Sequence, residues 1–127
     1  MPRFGRVIVK LSGEALLGDG VPISHDSARR IAAEIGQASD DGAQIGVVIG
    51  GGNILRGAAA ERSGADRVAS DFMGMQATLV NAMALAGSLR ALGREAAVLS
   101  ALPCGPGAEP HDPFRARELL DAGTVVI

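Results

Sequence analysis

Two short β-branched runs, each followed by small residues, constrain the fold more than any other feature of this chain. The runs cover residues 6–11 and 44–49, and a helical pattern between them begins after Ser24 and closes at Asp41-Gly42. A short apolar run bounded by turn residues is typical of a buried strand. Strand, helix and strand in this order predict a βαβ unit with parallel strands and a right-handed crossover.

The rest of the chain continues this alternation. A long helical pattern covers residues 66–92, and it is followed by a third strand over 95–100, a proline-containing loop over 103–113, a short helix over 114–122 and a fourth strand over 124–127. The order predicts a three-layer α/β/α fold with a mostly parallel central sheet. No linker interrupts residues 1–127, so we expect a single domain. Because the sequence stops directly after an apolar strand suited to the sheet centre, we expect a fragment of a longer protein.

Composition and charge exclude several classes of protein. Of the 127 residues, 47% are hydrophobic and 20% are charged, which is enough to build a core and argues against a disordered tail. Twelve basic and fourteen acidic residues give a net charge of −2, and the aromatic residues are three Phe, so no nucleic-acid or membrane surface is expected. No uninterrupted apolar run approaches the ~18 residues of a membrane span. The one cysteine, Cys104, cannot form an internal disulfide, which favours the cytoplasm.

The first candidate site follows the first strand. Of the twelve basic residues, eleven are arginine and Lys10 is the one lysine. Leu11, Ser12 and Gly13 come directly after it. A compact ammonium, a hydroxyl and a glycine N–H can together hold phosphate oxygens. The alternative is that Lys10 is a solvated residue at a strand end, the one lysine in a sequence biased toward arginine. Ser12 and Gly13 would then form an ordinary turn.

The second candidate site follows the second strand, where Gly50-Gly51-Gly52 leads toward Arg56. Glycines between a strand and a helix expose N–H groups that favour an anion, although a tight turn with a solvated Arg56 is the simpler interpretation. Because neighbouring parallel strands end at the same edge of a sheet, Lys10 and the glycines together predict a phosphate site.

Common catalytic motifs are absent. The sequence has no P-loop, and Leu55 stands where the dinucleotide-binding fingerprint needs Gly or Ala. His25 and His111 lack the spacing of zinc ligands, and Cys104 has no evident base, so no metal site is predicted. Asp71, within the long helical pattern, is a further candidate site residue. The alternative is that Asp71 caps the N-terminus of a helix that begins again after a break.

Four blocks in order and spacing resemble the bacterial UMP kinases (uridylate kinases), a branch of the amino acid kinase superfamily. They are Val-Lys-Leu-Ser-Gly-Glu-Ala-Leu at 9–16, Val-Val-Ile-Gly-Gly-Gly-Asn-Ile at 47–54 with Arg56-Gly57, Asp66-Arg67, and Asp-Phe-Met-Gly-Met at 71–75 with Ala77-Thr78 and Asn81. The resemblance runs the length of the chain and covers the N-terminal half of such an enzyme.

This resemblance implies transfer of the γ-phosphoryl group of ATP to UMP, with Mg²⁺ accompanying ATP, in an enzyme that assembles as a hexamer. It implies that Lys10 neutralises the transferring phosphoryl group, and that ATP contacts Lys10, Leu11, Ser12, Gly13, Gly52 and Arg56. It likewise implies that Gly51 contacts the UMP phosphate and that Asp71 contacts the UMP ribose.

Two departures keep alternatives open: the length of the chain, and the distinctive loop over 103–113, to which nothing of the family is carried over. Family members are about twice as long, and their acceptor loop and ATP base pocket would follow residue 127, so we expect this chain to be inactive alone. One alternative is a non-catalytic half-domain that binds a nucleotide or pairs with another chain. The other is a different small-metabolite kinase, or a metal-oxoanion storage relative, of the same superfamily.

Overall fold

The computed structural model describes residues 2–55, 64 and 66–127. The elements are β1 (Arg6–Leu11), α1 (His25–Asp40), β2 (Gln44–Ile49), α2 (Arg67–Ala91), β3 (Ala96–Ala97), β4 (Leu99–Ser100), β5 (Glu109–Pro110), α3 (Pro113–Asp121) and β6 (Val125–Val126). Two 3₁₀ turns cover Gly13–Leu16 and Gly105–Gly107.

The main sheet has the strand order β1-β2-β6-β3, and every pairing in it is parallel. β1 and β2 pair along their whole length, from Arg6 beside Gln44 to Leu11 beside Ile49. β6 lies between β2 and β3, which confirms that the last apolar run is a central strand. The α/β class with a mostly parallel sheet is therefore confirmed.

The third strand expected over residues 95–100 is divided at Val98 into two short strands, β3 in the main sheet and β4 beside β5. The Ile127 N–H donates to the Ala97 carbonyl (2.9 Å), and the Leu99 N–H donates to the Ile127 carbonyl (2.8 Å). The Val98 carbonyl instead accepts from the Glu109 N–H (2.9 Å). Along one edge this stretch therefore bonds to β6 and the residue after it, and along the other edge β4 pairs with β5, which lies inside the expected loop over 103–113.

The helix boundaries lie within one residue of the sequence prediction, and side-chain caps explain their starts. Ser24 Oγ accepts from the Ser27 N–H (3.3 Å), and the Asp66 carboxylate accepts from the Ala69 N–H (2.9 Å). Such caps satisfy N–H groups that have no partner within the helix. After the last turn of α1, Gly42 adopts φ +101°, a conformation that favours glycine.

The core lies on one face of the main sheet, where α1 and α2 pack against each other and against β2. α3 packs near β6 and β2 and covers only part of the opposite face. On that face Ile8 is 77% exposed and Val48 is 53% exposed. A largely apolar groove of about 480 Å³ runs over these side chains toward Leu102 and Leu120. We call this the open sheet face.

α2 is, within the described residues, the one helix long and apolar enough to cross a membrane by length and composition. Its most apolar window has a mean hydropathy of 1.2. The helix packs against α1 and carries buried polar side chains at Ser70, Asn81 and Ser88. Since the core helix of a globular fold passes the same test, we assign α2 to the core.

Candidate functional site

Lys10 lies at the carboxyl end of β1 and belongs to the open sheet face. Successive strand side chains point to opposite faces, so Val9 and Leu11 pack toward the core while Ile8 and Lys10 lie on the other side. In register, Lys10 stands beside Val48 of β2. No carboxylate of the described residues pairs with Lys10. Its ammonium group is therefore available to an anion at this edge.

Ser12 and Gly13 form the corner that follows β1. Ser12 Oγ accepts from the Glu14 N–H (3.3 Å), and the Ser12 carbonyl accepts from the Ala15 N–H (3.0 Å). These bonds turn the chain sharply from an extended strand into a 3₁₀ turn. Gly13, the first residue of that turn, is buried, whereas Ser12 is exposed at the edge of the sheet.

Gly13 lies directly against residues 50–53, which we call the glycine turn. A Cβ on Gly13 would lie 2.5 Å from Asn53 Oδ1, 2.7 Å from the Gly50 carbonyl oxygen and 2.9 Å from the Gly52 amide nitrogen. Only a residue without a side chain fits so close to another backbone. The structure therefore brings together the two segments that the sequence predicts to lie at one edge of the sheet.

Gly51 packs the other side of the glycine turn against α2. A Cβ on Gly51 would lie 2.9 Å from the Ala77 Cβ, 3.0 Å from the Gly74 carbonyl oxygen and 3.1 Å from the Thr78 amide nitrogen. The Gly51 carbonyl also accepts from the N–H groups of residues 54 and 55, at 3.0 and 3.1 Å. The turn is thus held between the β1 corner and the long helix.

Asn53 and Asn81 join the glycine turn to α2 through their side chains. The Asn81 amide donates to Asn53 Oδ1 (2.6 Å) and to the Gly50 carbonyl (2.7 Å), and the Asn53 amide donates to Asn81 Oδ1 (3.0 Å). Both residues stand in the resembling blocks, but no role was predicted for either. The available signal was an amide side chain on the buried face of a long and largely apolar helix.

Asp71 lies in the second turn of α2, and the interpretation of it as an N-cap is wrong. The helix runs unbroken from Arg67, and Asp66 is its cap. The Asp71 carboxylate accepts from Arg67 Nε at 3.1 Å and is exposed. Asp71 precedes Gly74, which lies against Gly51, by about one helical turn.

Arg56, expected beside ATP, lies outside the described residues, as does the chain that follows it up to residue 63. In the part of the chain that is described, no group of three or more His, Cys, Asp or Glu side chains could hold a metal ion. Cys104 is a half-buried free thiol.

The site can therefore hold an extended anionic ligand at the carboxyl edge of the sheet. Lys10 supplies a positive charge, and the β1 corner and the glycine turn supply backbone that a ligand can approach closely. The groove of the open sheet face begins next to this edge, where Ile49, Met75 and Thr78 line it. Apolar surface beside a cationic rim suits a ligand with both a phosphate and a less polar part.

The chain matches the amino acid kinase family model over residues 5–127. It is 48% identical to the uridylate kinase of Chelativorans sp. (strain BNC1), over 99% of this chain and 51% of that protein. It is 45% identical to the uridylate kinase of Methylococcus capsulatus (strain ATCC 33009 / NCIMB 11132 / Bath), over 99% of this chain and 53% of that protein.

Solved structures agree with these relatives. The UMP kinase from Bacillus anthracis superposes with a TM-score of 0.90 at 40% identity, over 97% of this chain and 51% of that one. The aspartate kinase from Synechocystis, at 16% identity and a TM-score of 0.64, shares the fold alone. The chain spans about half the length of the curated relatives it matches. Since the family model covers all but its first four residues, the chain belongs to the amino acid kinase family.

Proposed function

We propose that this chain is the N-terminal half of a UMP kinase, which transfers the γ-phosphoryl group of ATP to UMP and yields UDP and ADP. The observation that carries the proposal is the backbone contact between Gly13 and the glycine turn, beside the exposed Lys10. The similarity of the whole chain to proteins named uridylate kinase supports the proposal and favours UMP as the phosphoryl acceptor.

In the proposed reaction, an oxygen of the UMP phosphate attacks the γ-phosphorus of ATP in line. The bond from the γ-phosphorus to its bridging oxygen breaks, and ADP leaves. Negative charge spreads over the oxygens of the transferring phosphoryl group, so positioning and electrostatic stabilisation provide most of the rate acceleration. Lys10 Nζ neutralises this charge, because its ammonium has no competing carboxylate within the described residues.

The ATP phosphates lie against the β1 corner in this proposal. Leu11 contributes backbone only, because its side chain packs toward the core. Ser12 offers its hydroxyl, and Gly13 and Gly52 allow the phosphates to approach the main chain. Arg56 is the further ATP contact implied by the resemblance.

The UMP lies on the other side of the glycine turn. Gly51, wedged against α2, faces the UMP phosphate, and the Asp71 carboxylate accepts hydrogen bonds from the ribose hydroxyls. The ion pair with Arg67, one turn earlier, orients that carboxylate along the helix.

Magnesium enters this proposal with ATP. Mg²⁺ prefers phosphate oxygens and water to an all-protein cage, so a nucleotide-bound ion needs few protein ligands. When bound, the ion would neutralise charge on the phosphates that Lys10 approaches.

Assembly and location complete the proposal. Phe72 and Met73, each 53% exposed, and Val80, 48% exposed, give α2 an apolar outer side. Exposed apolar residues on one long helix suit contact with another subunit, so we propose a homo-oligomer, a hexamer as the resemblance implies. The free thiol of Cys104 suits the reducing cytoplasm.

The test is UDP formation by the native protein isolated from its own cells, whose intact mass is measured in the same preparation. We expect a mass about twice that of these 127 residues and turnover that requires both UMP and ATP. Competing acceptors, such as CMP and small carboxylic acids, serve as controls. A protein that phosphorylates another acceptor and leaves UMP unchanged would contradict the proposal.

A second candidate, a non-catalytic half-domain that pairs with another chain, is favoured by the open sheet face with its exposed Ile8 and Val48. The intact mass of the native protein separates the two, since a mass of these 127 residues alone favours the half-domain and about twice that mass favours the UMP kinase. Calorimetric titration of the 127-residue chain then tests whether it binds a nucleotide by itself. Saturation with UMP or ATP alone indicates a self-sufficient binding module, whereas no heat with either indicates a half that needs its complement.

A further inference from the structure

We infer that Asn81 is a positioning residue which, through Asn53, sets the glycine turn in the conformation that receives the nucleotide phosphates. It touches no substrate itself. The inference rests on the proposed function, since it concerns how the same site is held.

The first step of the argument is the hydrogen-bond inventory of Asn81. A primary amide has two N–H donors and one carbonyl acceptor. Asn81 gives one donor to the Gly50 carbonyl and the other to Asn53 Oδ1, and its own oxygen accepts from the Asn53 amide. Its side chain is fully buried, so no water can replace a lost partner at low cost.

The second step is what Asn53 connects. Its amide also donates to the Pro22 carbonyl (2.9 Å), in the segment that precedes α1. The pair therefore ties three separate parts of the chain together: the long helix, the glycine turn and the entry to α1. A turn rich in glycine has few side chains to restrict its backbone, so hydrogen bonds from other segments determine its conformation.

The third step is the contact with the phosphate-binding corner. Asn53 Oδ1, the atom that accepts from Asn81, is also the atom nearest to a Cβ built on Gly13, at 2.5 Å. A shift of the Asn53 side chain would thus press on the β1 corner as well as release Gly50. The same two amides therefore set the spacing between both phosphate-binding segments.

A purely structural buried pair would affect stability alone, whereas a positioning pair also affects ligand affinity. The experiment compares Asn81→Ala with Ser88→Ala in the intact protein. Ser88 is a matched control, since it is another buried polar residue on α2, two turns further along and away from the glycine turn. We expect both variants to lower the unfolding temperature.

Only Asn81→Ala should change substrate binding. We expect its KM for at least one nucleotide to rise about tenfold or more, with kcat changed less than about threefold, as for an interaction made equally in the ground and transition states. In a double-mutant cycle, the variant that combines Asn53→Ala and Asn81→Ala should have a KM no higher than that of the more affected single variant, because the two residues act as a unit.

Unchanged KM values in Asn81→Ala and Asn53→Ala would overturn the inference. Should Asn81→Ala not fold, Asn53→Ala decides, because Asn53 is only half-buried. A wild-type protein without UMP kinase activity would defeat the proposed function instead. Amide hydrogen exchange of residues 50–53 then decides the positioning role: faster exchange in Asn81→Ala than in Ser88→Ala supports it, and equal exchange overturns it.

Discussion

Gly13 and Gly52 meet backbone to backbone, since a Cβ on Gly13 would stand 2.9 Å from the Gly52 amide nitrogen. Each glycine follows a different strand, and the strands are parallel neighbours. The Gly50 N–H donates to the Leu11 carbonyl at 2.9 Å and extends the pairing past the ends of both strands. The two segments therefore form one continuous surface, whose shape depends on the absence of side chains.

The first prediction concerns Gly13→Ala. The new methyl group would meet two backbone atoms of the glycine turn below 3.0 Å, so the turn must move. Overpacking of this kind costs about 1–3 kcal/mol. We expect the free energy of unfolding in urea to fall by that amount, and the affinity for nucleotide to fall with it.

Gly87→Ala is the matched control for that variant. Gly87 lies in the interior of α2 and is exposed, and a methyl group added there would have no atom within 4 Å beyond its own stretch of helix. Alanine there should stabilise the helix by about 0.5–1 kcal/mol. If Gly13→Ala unfolds at the same urea concentration as the wild type, the contact between Gly13 and the glycine turn is not as close as the structure shows.

The second prediction concerns Lys10. Lys10→Ala in the intact enzyme should abolish phosphoryl transfer and leave the unfolding temperature nearly unchanged, because the side chain is exposed and has no ion-pair partner in the described part of the chain. Lys10→Arg keeps the charge but replaces a compact ammonium with a planar fork, so it should restore little activity. Near-wild-type turnover in Lys10→Ala would remove this residue from the proposed mechanism.

Much of the fold could be predicted because local signals and tertiary contacts agree. The β-branched runs of β1 and β2 become parallel neighbours, and the cap at Ser24 and the glycine at Gly42 bound α1 as expected. Sequence periodicity does not determine which strand pairs with which. The run over 95–100 is largely apolar, yet its two edges bond to different neighbours, β6 on one side and β5 on the other.

The site shows the same division. The placement of Lys10 and the glycines at one edge could be predicted, since neighbouring parallel strands end there. The reciprocal amides of Asn53 and Asn81 could not, because the residues lie far apart in sequence and their pairing depends on how α2 packs on the turn.

The third prediction tests what covers the open sheet face. Ile8 is 77% exposed here, so a polar replacement would cost little if this face stays uncovered. If the other half of a UMP kinase covers it, Ile8→Thr in the intact protein should cost about 1–3 kcal/mol of unfolding free energy. Ile45→Thr, on the buried face of β2, should be costly in either case and serves as the control. A cost for Ile8→Thr below about 0.5 kcal/mol would contradict burial of this face.

The fourth prediction concerns the acid side of the stability profile. Hydrogen bonds that Arg115 donates to the Glu109 carboxylate at 3.1 and 3.2 Å, together with the Arg115 charge, hold the pKa of Glu109 below its ordinary range. A carboxylate whose pKa is lower in the folded state than in the unfolded state stabilises the fold above the unfolded pKa. That contribution disappears as the pH falls through the lowered folded value.

Arg115→Ala should therefore raise the pKa of Glu109 toward its ordinary range, as followed by carbon NMR of the carboxyl group during a pH titration. The fall in stability between the ordinary and the lowered pKa should become shallower in the same variant. Arg117→Ala, which removes an arginine of α3 that has no ion pair among the described residues, should leave the titration unchanged. Because Arg115 lies in α3 and Glu109 in β5, an unshifted titration in Arg115→Ala would mean that the two elements are not joined by this pair in solution.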